Sequence, residues 1–312
     1  MDTCDETPQV AAIVLSWNGA DTTVACLRSV LESDYPHLGV VLVDNASTDN
    51  TVSFVKSELP EIVVVAADRN LGYAGGMNLA LQSEGVCNSE YVLLLNNDVI
   101  VEPRAIQNLV RACQDPGVGA AVPKTYAGRP GDGPVLWHAG ADFEEASGQG
   151  YHVGIGEVDN GQYAARRDIG YGPGSALMVK TSAISAAGGF DERYFLYCED
   201  LDLSRRLIRM GFRIVYEPAA VAWHAPGSSS PGRFGRARRT YYKTRNSLLF
   251  LHVHTGRKPL RRSVVLLVKG LGRAMLRHRD GLEAAAVIRG VTDFYRSRFG
   301  MCERFVAEHT PR

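Results

Sequence analysis

A chain of 312 residues, 45% hydrophobic and 22% charged, carries enough apolar material for a large core and is too apolar for long-range disorder. Its six cysteines (Cys4, Cys26, Cys87, Cys113, Cys198 and Cys302) lack CxxC or any metal-ligand spacing, which argues against a disulfide framework and points to reduced thiols. The formal charge of zero conceals two opposite halves: residues 1–232 hold 15 Lys and Arg against 29 Asp and Glu, whereas residues 233–312 hold 19 against 5.

The start, MDTCDETPQV, has neither a basic nor an apolar leader segment, and no apolar run reaches about 18 residues. A cytoplasmic protein without a secretory signal or membrane-spanning helix is therefore expected. AAIVLSWN (11–18) reads as a first strand, with a helical pattern from Asp21 to Glu32. GVVLVDNAS (39–47), EIVVVAA (61–67) and EYVLLLNNDV (90–99) read as further strands, separated by helical segments at Thr51–Ser57 and Gly75–Ser83. Continuous apolar strands alternating with helices imply βαβ units and a mostly parallel sheet buried on both faces, so an α/β fold is predicted. Residues 128–167 are rich in glycine and read as hairpins or loops. SALMVK (175–180) is another strand, Thr181–Ala187 a short helix, and FRIVYEP (212–218) a last strand before VAWHAPG. GSSSPGRFG (227–235) is the linker candidate, and basic amphipathic helices follow it. Two units are expected: a domain over 1–232, divided near residue 125 into nucleotide-binding (about 10–125) and acceptor (about 126–232) parts, and a basic helical extension over 233–312.

Ligands of parallel sheets bind beyond the C-terminal strand ends, so the polar residues there carry the functional reading. Ser16 and Asn18 end the first strand, Asp44 the second, Asn70 follows the third, and Asn97 and Asp98 the fourth. VDNASTDNT (43–51) fits a carboxylate facing a pyrimidine N3–H as well as a simple turn and helix cap. RNLGYAGGMN (69–78) puts Gly72 and Gly75 at a helix start, where bare backbone N–H groups suit a diphosphate; the spacing is not GxGxxG, which argues against a dinucleotide site. Asp98, delivered by LLLNNDVIVEP, suits Mg²⁺ or Mn²⁺ together with diphosphate oxygens, and His224 in AWHAPG offers an imidazole ligand. In FLYCEDLDLSRRL (195–207), the acids fit both an electrostatically favoured helix start and a general base in a partly desolvated cleft.

Taken in order, WNG, VDNASTD, NLGYAGGMN, LLLNNDV, GSALMVK, GGFDERYFLYCEDLDLSRRL and WH resemble glycosyltransferase family 2, especially its bacterial rhamnosyl- and galactofuranosyl-transferase branch. The match covers about residues 10–250. The resemblance implies a GT-A fold, a nucleotide-diphosphate sugar donor, a divalent cation (Mg²⁺ or Mn²⁺) and inversion at the anomeric carbon. It also implies Asp44 at the nucleobase, Asp98 and His224 as metal ligands, and Asp200 as catalytic base beside Glu199. Asp202, two residues on, is expected to face away and pair with Arg205 or Arg206. The GPGS turn, Gly172 to Ser175, is a further candidate for lining the pocket. The chain departs from the family's DxD-type motif: it reads NND and keeps only the last acid.

The implied donor is dTDP-rhamnose or a UDP-hexose, and the implied acceptor a glycan or polyprenyl-diphosphate-linked glycan of a cell-surface polysaccharide. Residues 233–279 contain several cations and no acid, which suits an anionic membrane face and a peripheral location, or packing against the acidic body as an extension of the domain; no nucleic-acid motif accompanies them and no nucleic acid is expected. Two other classes remain alternatives. A sugar-phosphate nucleotidyltransferase would carry a cationic loop after the first strand, which LSWNGADTT lacks, and an idle nucleotide-sugar-binding scaffold would tolerate NND.

Overall fold

The computed structural model describes residues 7–225, 232–276 and 281–303. In chain order the elements are β1 (Val10–Ser16), α1 (Ala20–Leu31), β2 (Leu38–Asp44), α2 (Thr51–Glu58), β3 (Val63–Ala66), α3 (Gly72–Leu81), α4 (Glu84–Cys87), β4 (Tyr91–Asn96) and β5 (Val99–Val101). Then come α5 (Ala105–Cys113), β6 (Val118–Ala127), β7 (Leu136–His138), β8 (Ala141–Glu144), β9 (Gln149–His152), β10 (Arg167–Asp168), β11 (Ala176–Lys180), α6 (Thr181–Ala186), α7 (Glu199–Arg209) and β12 (Arg213–His224). The last helices are α8 (Gly232–Thr255), α9 (Leu260–Leu276) and α10 (Gly281–Tyr295).

The main sheet runs β10-β12-β6-β11-β4-β1-β2-β3, with β5 on β12 and β7 on β6. Its pairings β4–β1–β2–β3 and β6–β12 are parallel, while β11 is inserted antiparallel between β4 and β6. The predicted α/β fold with a mostly parallel sheet is thus the observed one. Successive side chains of a strand point to opposite faces. Val10, Ala12 and Val14 of β1 accordingly enter one core cluster, and Ala11 and Ile13 the other. Leu93 and Leu95 of β4 likewise part from Val92 and Leu94. That double burial is why these strands read as unbroken apolar runs.

Four elements before residue 128, α4, β5, α5 and β6, have no counterpart among the expected ones. β6, VGAAVPKTYA, is interrupted by a proline and a lysine, yet lies between β11 and β12 with its first eight residues buried. The expected last strand and VAWH are one strand, β12, with register shifts that bend it past Glu217 to Val221. The hairpin expected in the middle is β8–β9. Residues 226–231 of the linker candidate lie outside the described residues, and helix α8 is already formed at Gly232.

The basic extension is helical, and α8 is sunk into the protein. Tyr241, Tyr242, Arg245, Leu248 and Leu249 are buried to 1% exposure or less. Arg245 is stacked between aromatic neighbours, its guanidinium 5.4 and 5.1 Å from the rings of Tyr241 and Tyr242. No helix among the described residues is long and apolar enough to cross a membrane.

Candidate active site

The parallel register carries the ends of β1, β2 and β4 to one edge of the sheet, and their loops are tied together there. Asn18 donates its N–H to Ser47 Oγ (2.8 Å) and accepts from Thr48 N–H at Oδ1 (2.8 Å). Asn18 holds a left-handed conformation, φ 63°, which asparagine tolerates better than most residues. Asp44 is 5% exposed and accepts the Ser47 N–H at 3.2 Å, so part of its carboxylate stabilises the turn. Asn45 Nδ2 reaches Asn70 Oδ1 (3.2 Å) and the Gly72 carbonyl (2.9 Å), connecting β2 to the start of α3.

Asp98 occupies the turn between β4 and β5. Because β5 pairs with β12 at Val99 and His224, residues 126 apart in sequence become neighbours: His224 Nε2 lies 3.1 Å from Asp98 Oδ1. Both are mostly shielded, at 9% and 14% side-chain exposure. Trp137 sets its edge against the His224 ring, 4.9 Å between centroids, and also approaches His152. Burial, helped by the Lys243 and His224 charges, pushes His152 down to about 4, so the His152 ring stays neutral near pH 7. One carboxylate and one imidazole suit Mn²⁺ or Mg²⁺, with the remaining ligands left to phosphate oxygens and water. Among the described residues no group of three or more His, Cys, Asp or Glu side chains forms an all-protein cage.

The acidic helix α7 starts at the same edge. Antiparallel β11 sets Ala176 beside Leu95 of β4, so the GPGS turn before it lies at the C-terminal end of β4, where the Asn96 N–H donates to the Ser175 carbonyl (3.0 Å). From that turn the Gly174 N–H donates to Asp200 Oδ2 at 3.1 Å, while the Leu201 N–H donates to Oδ1 at 2.8 Å. Burial raises the Asp200 carboxyl above its ordinary value, and these N–H groups with the Lys243 charge restrain the rise. Glu199 is deeper, 5% exposed, and its Oε2 has no hydrogen-bond partner. Burial first and the Asp200 charge second push Glu199 well above the carboxylate range. Burial acts on both carboxyls, and the two N–H groups on Asp200 favour its charged form where Glu199 Oε2 has no such donor. Asp202 turns away as expected: its oxygens accept from Arg206 Nε (2.8 Å), Tyr194 OH (3.2 Å) and His254 Nε2 (2.9 Å). Arg205 pairs instead with Glu145 at 3.0 Å.

The sequence model described as Glycosyltransferase like family 2 matches residues 8–243. The chain belongs to this family. An N-acetylglucosaminyl-diphospho-decaprenol L-rhamnosyltransferase of Mycobacterium tuberculosis is 29% identical over 246 residues, 72% of this chain and 78% of that protein. Among solved structures, a mannosyltransferase of Pyrobaculum calidifontis in complex with GDP-Man and Mn²⁺ is similar at TM-score 0.57 and 20% identity, covering 94% of this chain and 89% of that one. GalNAc-T7 with UDP, GalNAc and Mn²⁺ is similar at TM-score 0.58 and 14% identity, covering 78% and 51%. The likeness extends the fold assignment to the GT-A glycosyltransferases, and this family 2 protein is a glycosyltransferase.

Several expected donor contacts in this glycosyltransferase are occupied by the protein itself. Ser16 is fully buried, sharing its hydroxyl with Thr23 Oγ1 at 2.9 Å, and Asn97 Nδ2 is taken up by Ser16, Thr23 and the Asn18 carbonyl. Ser16 thus braces the loop from behind, while Asn97 spends its amide nitrogen on the loop and stays half-exposed. The start of α3 is also closed, because the Tyr73 N–H donates to the Phe195 carbonyl at 2.7 Å. Gly72, at φ 71°, is required by that contact: a Cβ there would sit 2.3 Å from the Phe195 oxygen. Gly75 is buried, and its Cβ would meet Leu71 Cβ at 2.8 Å. These glycines serve close packing of the loop before the acidic helix, in place of the bare N–H cradle expected for a diphosphate. Of the predicted nucleotide contacts, Asn18, Asp44 and Asn70 keep partial exposure or a free lone pair at the edge. The sequence reading missed Arg245 and Asn246, which a basic helix would normally leave in water; the adjoining YY and LLFL were the signal for burial.

Proposed function

We propose that this glycosyltransferase transfers a sugar, with inversion, from a nucleotide-diphosphate donor to a hydroxyl of a glycan carried on a polyprenyl diphosphate. The supporting observation is that Asp98 meets His224, 126 residues away in sequence, at the sheet edge where the turn before β11 also holds Asp200. Asp200 takes the acceptor hydroxyl's proton: two N–H groups hold it and favour its charged form, and it is partly exposed. Glu199, retaining its proton beside it, keeps the second carboxyl from repelling the first. Asp98 and His224 would hold a divalent cation, which when bound neutralises charge on the leaving diphosphate. Asp44 and Asn18 line the base and ribose end. The mycobacterial rhamnosyltransferase, named for a decaprenol-diphosphate substrate, supports dTDP-rhamnose as the first donor and a lipid-linked acceptor in cell-surface polysaccharide synthesis.

A cytoplasmic enzyme serving such an acceptor works at a membrane face. α9 supports that location: Leu260, Val264 and Val268, four residues apart, are 65%, 59% and 64% exposed beside the exposed Arg257, Lys258, Arg261 and Lys269.

The test is a donor panel (dTDP-rhamnose, UDP-galactofuranose, other UDP-hexoses) with Mn²⁺ or EDTA and a polyprenyl-diphosphate glycan, measuring released nucleoside diphosphate. Turnover of one donor is expected. Pyrophosphate release in its place would favour a nucleotidyltransferase, binding without turnover a scaffold, and neither binding nor turnover of any donor would end the reading.

A further inference from the structure

The segment Tyr194–Cys198 connects α6 and its following turn to the acidic helix, and its backbone is unusual. Phe195, Tyr197 and Cys198 have φ of 64°, 69° and 72°, left-handed values that non-glycine residues avoid. The last of them is the cap of α7, one residue before Glu199 and two before Asp200. Such a conformation persists only where surrounding groups enforce it.

The enforcing groups come from α8. Arg245 and Asn246 are fully buried. Asn246 Nδ2 lies 2.8 Å from each of the carbonyls of Tyr194, Leu196 and Tyr197, which share its two N–H groups. Arg245 Nη2 donates to those of Tyr194 (2.9 Å) and Arg193 (3.2 Å), and Nη1 to that of Gly300 at 2.7 Å. The remaining carbonyl of the segment, Phe195, accepts the Tyr73 N–H at the start of α3. Five consecutive carbonyls, 193 to 197, thus take donors from α8 and α3. The Phe195 ring also lies on Tyr242 of α8, 5.4 Å between centroids at 22°. A side chain serving only to pack would not need to turn its whole amide, as Asn246 does, or a guanidinium nitrogen, as Arg245 does with Nη2, toward one short stretch of chain.

We propose that Arg245 and Asn246 are positioning residues for the transfer reaction: they hold the left-handed segment that aims Asp200 at the acceptor hydroxyl. The inference rests on the reading of Asp200 as the base. Neither residue touches the metal pair or the predicted nucleotide contacts, so their loss should alter the chemical step and spare donor binding. Arg245 supplies the charge that reaches across to the chain's last described turn, and Asn246 supplies the finer register of three carbonyls.

The experiment compares the full-length protein with Asn246→Ser and, as a second variant that retains the charge, Arg245→Lys. Donor Kd, kcat and KM would be measured together with thermal melting and hydrogen exchange of residues 195–201. For Asn246→Ser the expected result is a kcat loss of about 10-fold or more, since small misplacements of a reacting group suffice for that. Donor Kd and KM should stay within about two-fold, and exchange over 195–201 should rise while the melting temperature changes little. Unchanged kcat, or kcat and donor affinity falling in parallel with the melting temperature in both variants, would overturn the proposal. If the wild-type protein turns over no donor, the functional reading fails separately, and the exchange measurement still decides the clamp: unaltered protection of 195–201 in Asn246→Ser refutes it.

Discussion

Replacing Asp200 by asparagine removes the proposed base while leaving its shape. Asp200 uses its two oxygens separately, Oδ2 for the Gly174 N–H and Oδ1 for the Leu201 N–H. Asparagine has one acceptor oxygen, so one of those donors loses its partner, at a cost of about 1–3 kcal/mol in stability. A positioned general base contributes roughly 10²- to 10⁴-fold to rate, or about 3–5 kcal/mol of transition-state stabilisation. Folding should therefore survive, donor binding should be nearly unchanged, and kcat should fall by about 10²- to 10⁴-fold. Glu199→Gln is the paired control. Its amide mimics the carboxyl that keeps its proton, so its activity should drop far less than that of Asp200→Asn. The assay is nucleoside diphosphate release at saturating donor and acceptor, with donor affinity by calorimetry. The acid limb of kcat/KM should lie above the ordinary aspartate value, because burial raises Asp200 and activity needs its charged form. Near-normal turnover in Asp200→Asn, or a larger loss in Glu199→Gln, would refute the assignment of charge within the pair.

Asp98→Ala should abolish stimulation of turnover by Mn²⁺ and weaken donor binding only when the cation is present, measured by titrating Mn²⁺ against released nucleotide. Asp202→Ala breaks a buried carboxylate shared by Arg206 and His254, and should cost about 3–5 kcal/mol by denaturant unfolding at pH 7. Burial opposes the Asp202 charge, but bonding to His254 and Arg206 outweighs it and holds the carboxyl below its ordinary value. Its contribution is then present above about pH 4 and lost as pH falls through the lowered folded value, so wild type and Asp202→Ala should converge in strong acid. Removing residues 233–312 would strip buried Tyr241, Tyr242 and Arg245 from the core, so the membrane face is better tested by Leu260→Glu with Val264→Glu. Loss of co-sedimentation with anionic vesicles and unaltered soluble-donor binding are expected; undiminished sedimentation would refute the α9 face.

The amino-acid sequence by itself determined the strands of the parallel sheet and most of its helices. Double-sided burial writes itself as unbroken apolar runs, and parallel strands make their C-terminal ends the place to look for ligands. It also determined Asp98, His224 and Asp200 as residues of interest, since polar groups at those ends are few and their motif order is specific. It missed β6, whose proline and lysine disguise a central strand, and it left the basic helices undecided between a membrane face and packing on the body, because a sequence pattern records charge and not what lies against it. Only the tertiary structure could separate Ser16, Gly72 and Gly75, which are buried with their polar or bare backbone groups engaged internally, from half-exposed residues at the sheet edge. It alone decided that Asp98 and His224 meet, because strand pairing across 126 residues leaves no local trace. The same holds for the acidic helix. Its three acids look alike in sequence, and the structure sets them apart: Glu199 is buried without a partner for Oε2, Asp200 is half-buried and held by two backbone donors, and Asp202 is an anchor tied to Arg206 one turn on and to the distant His254.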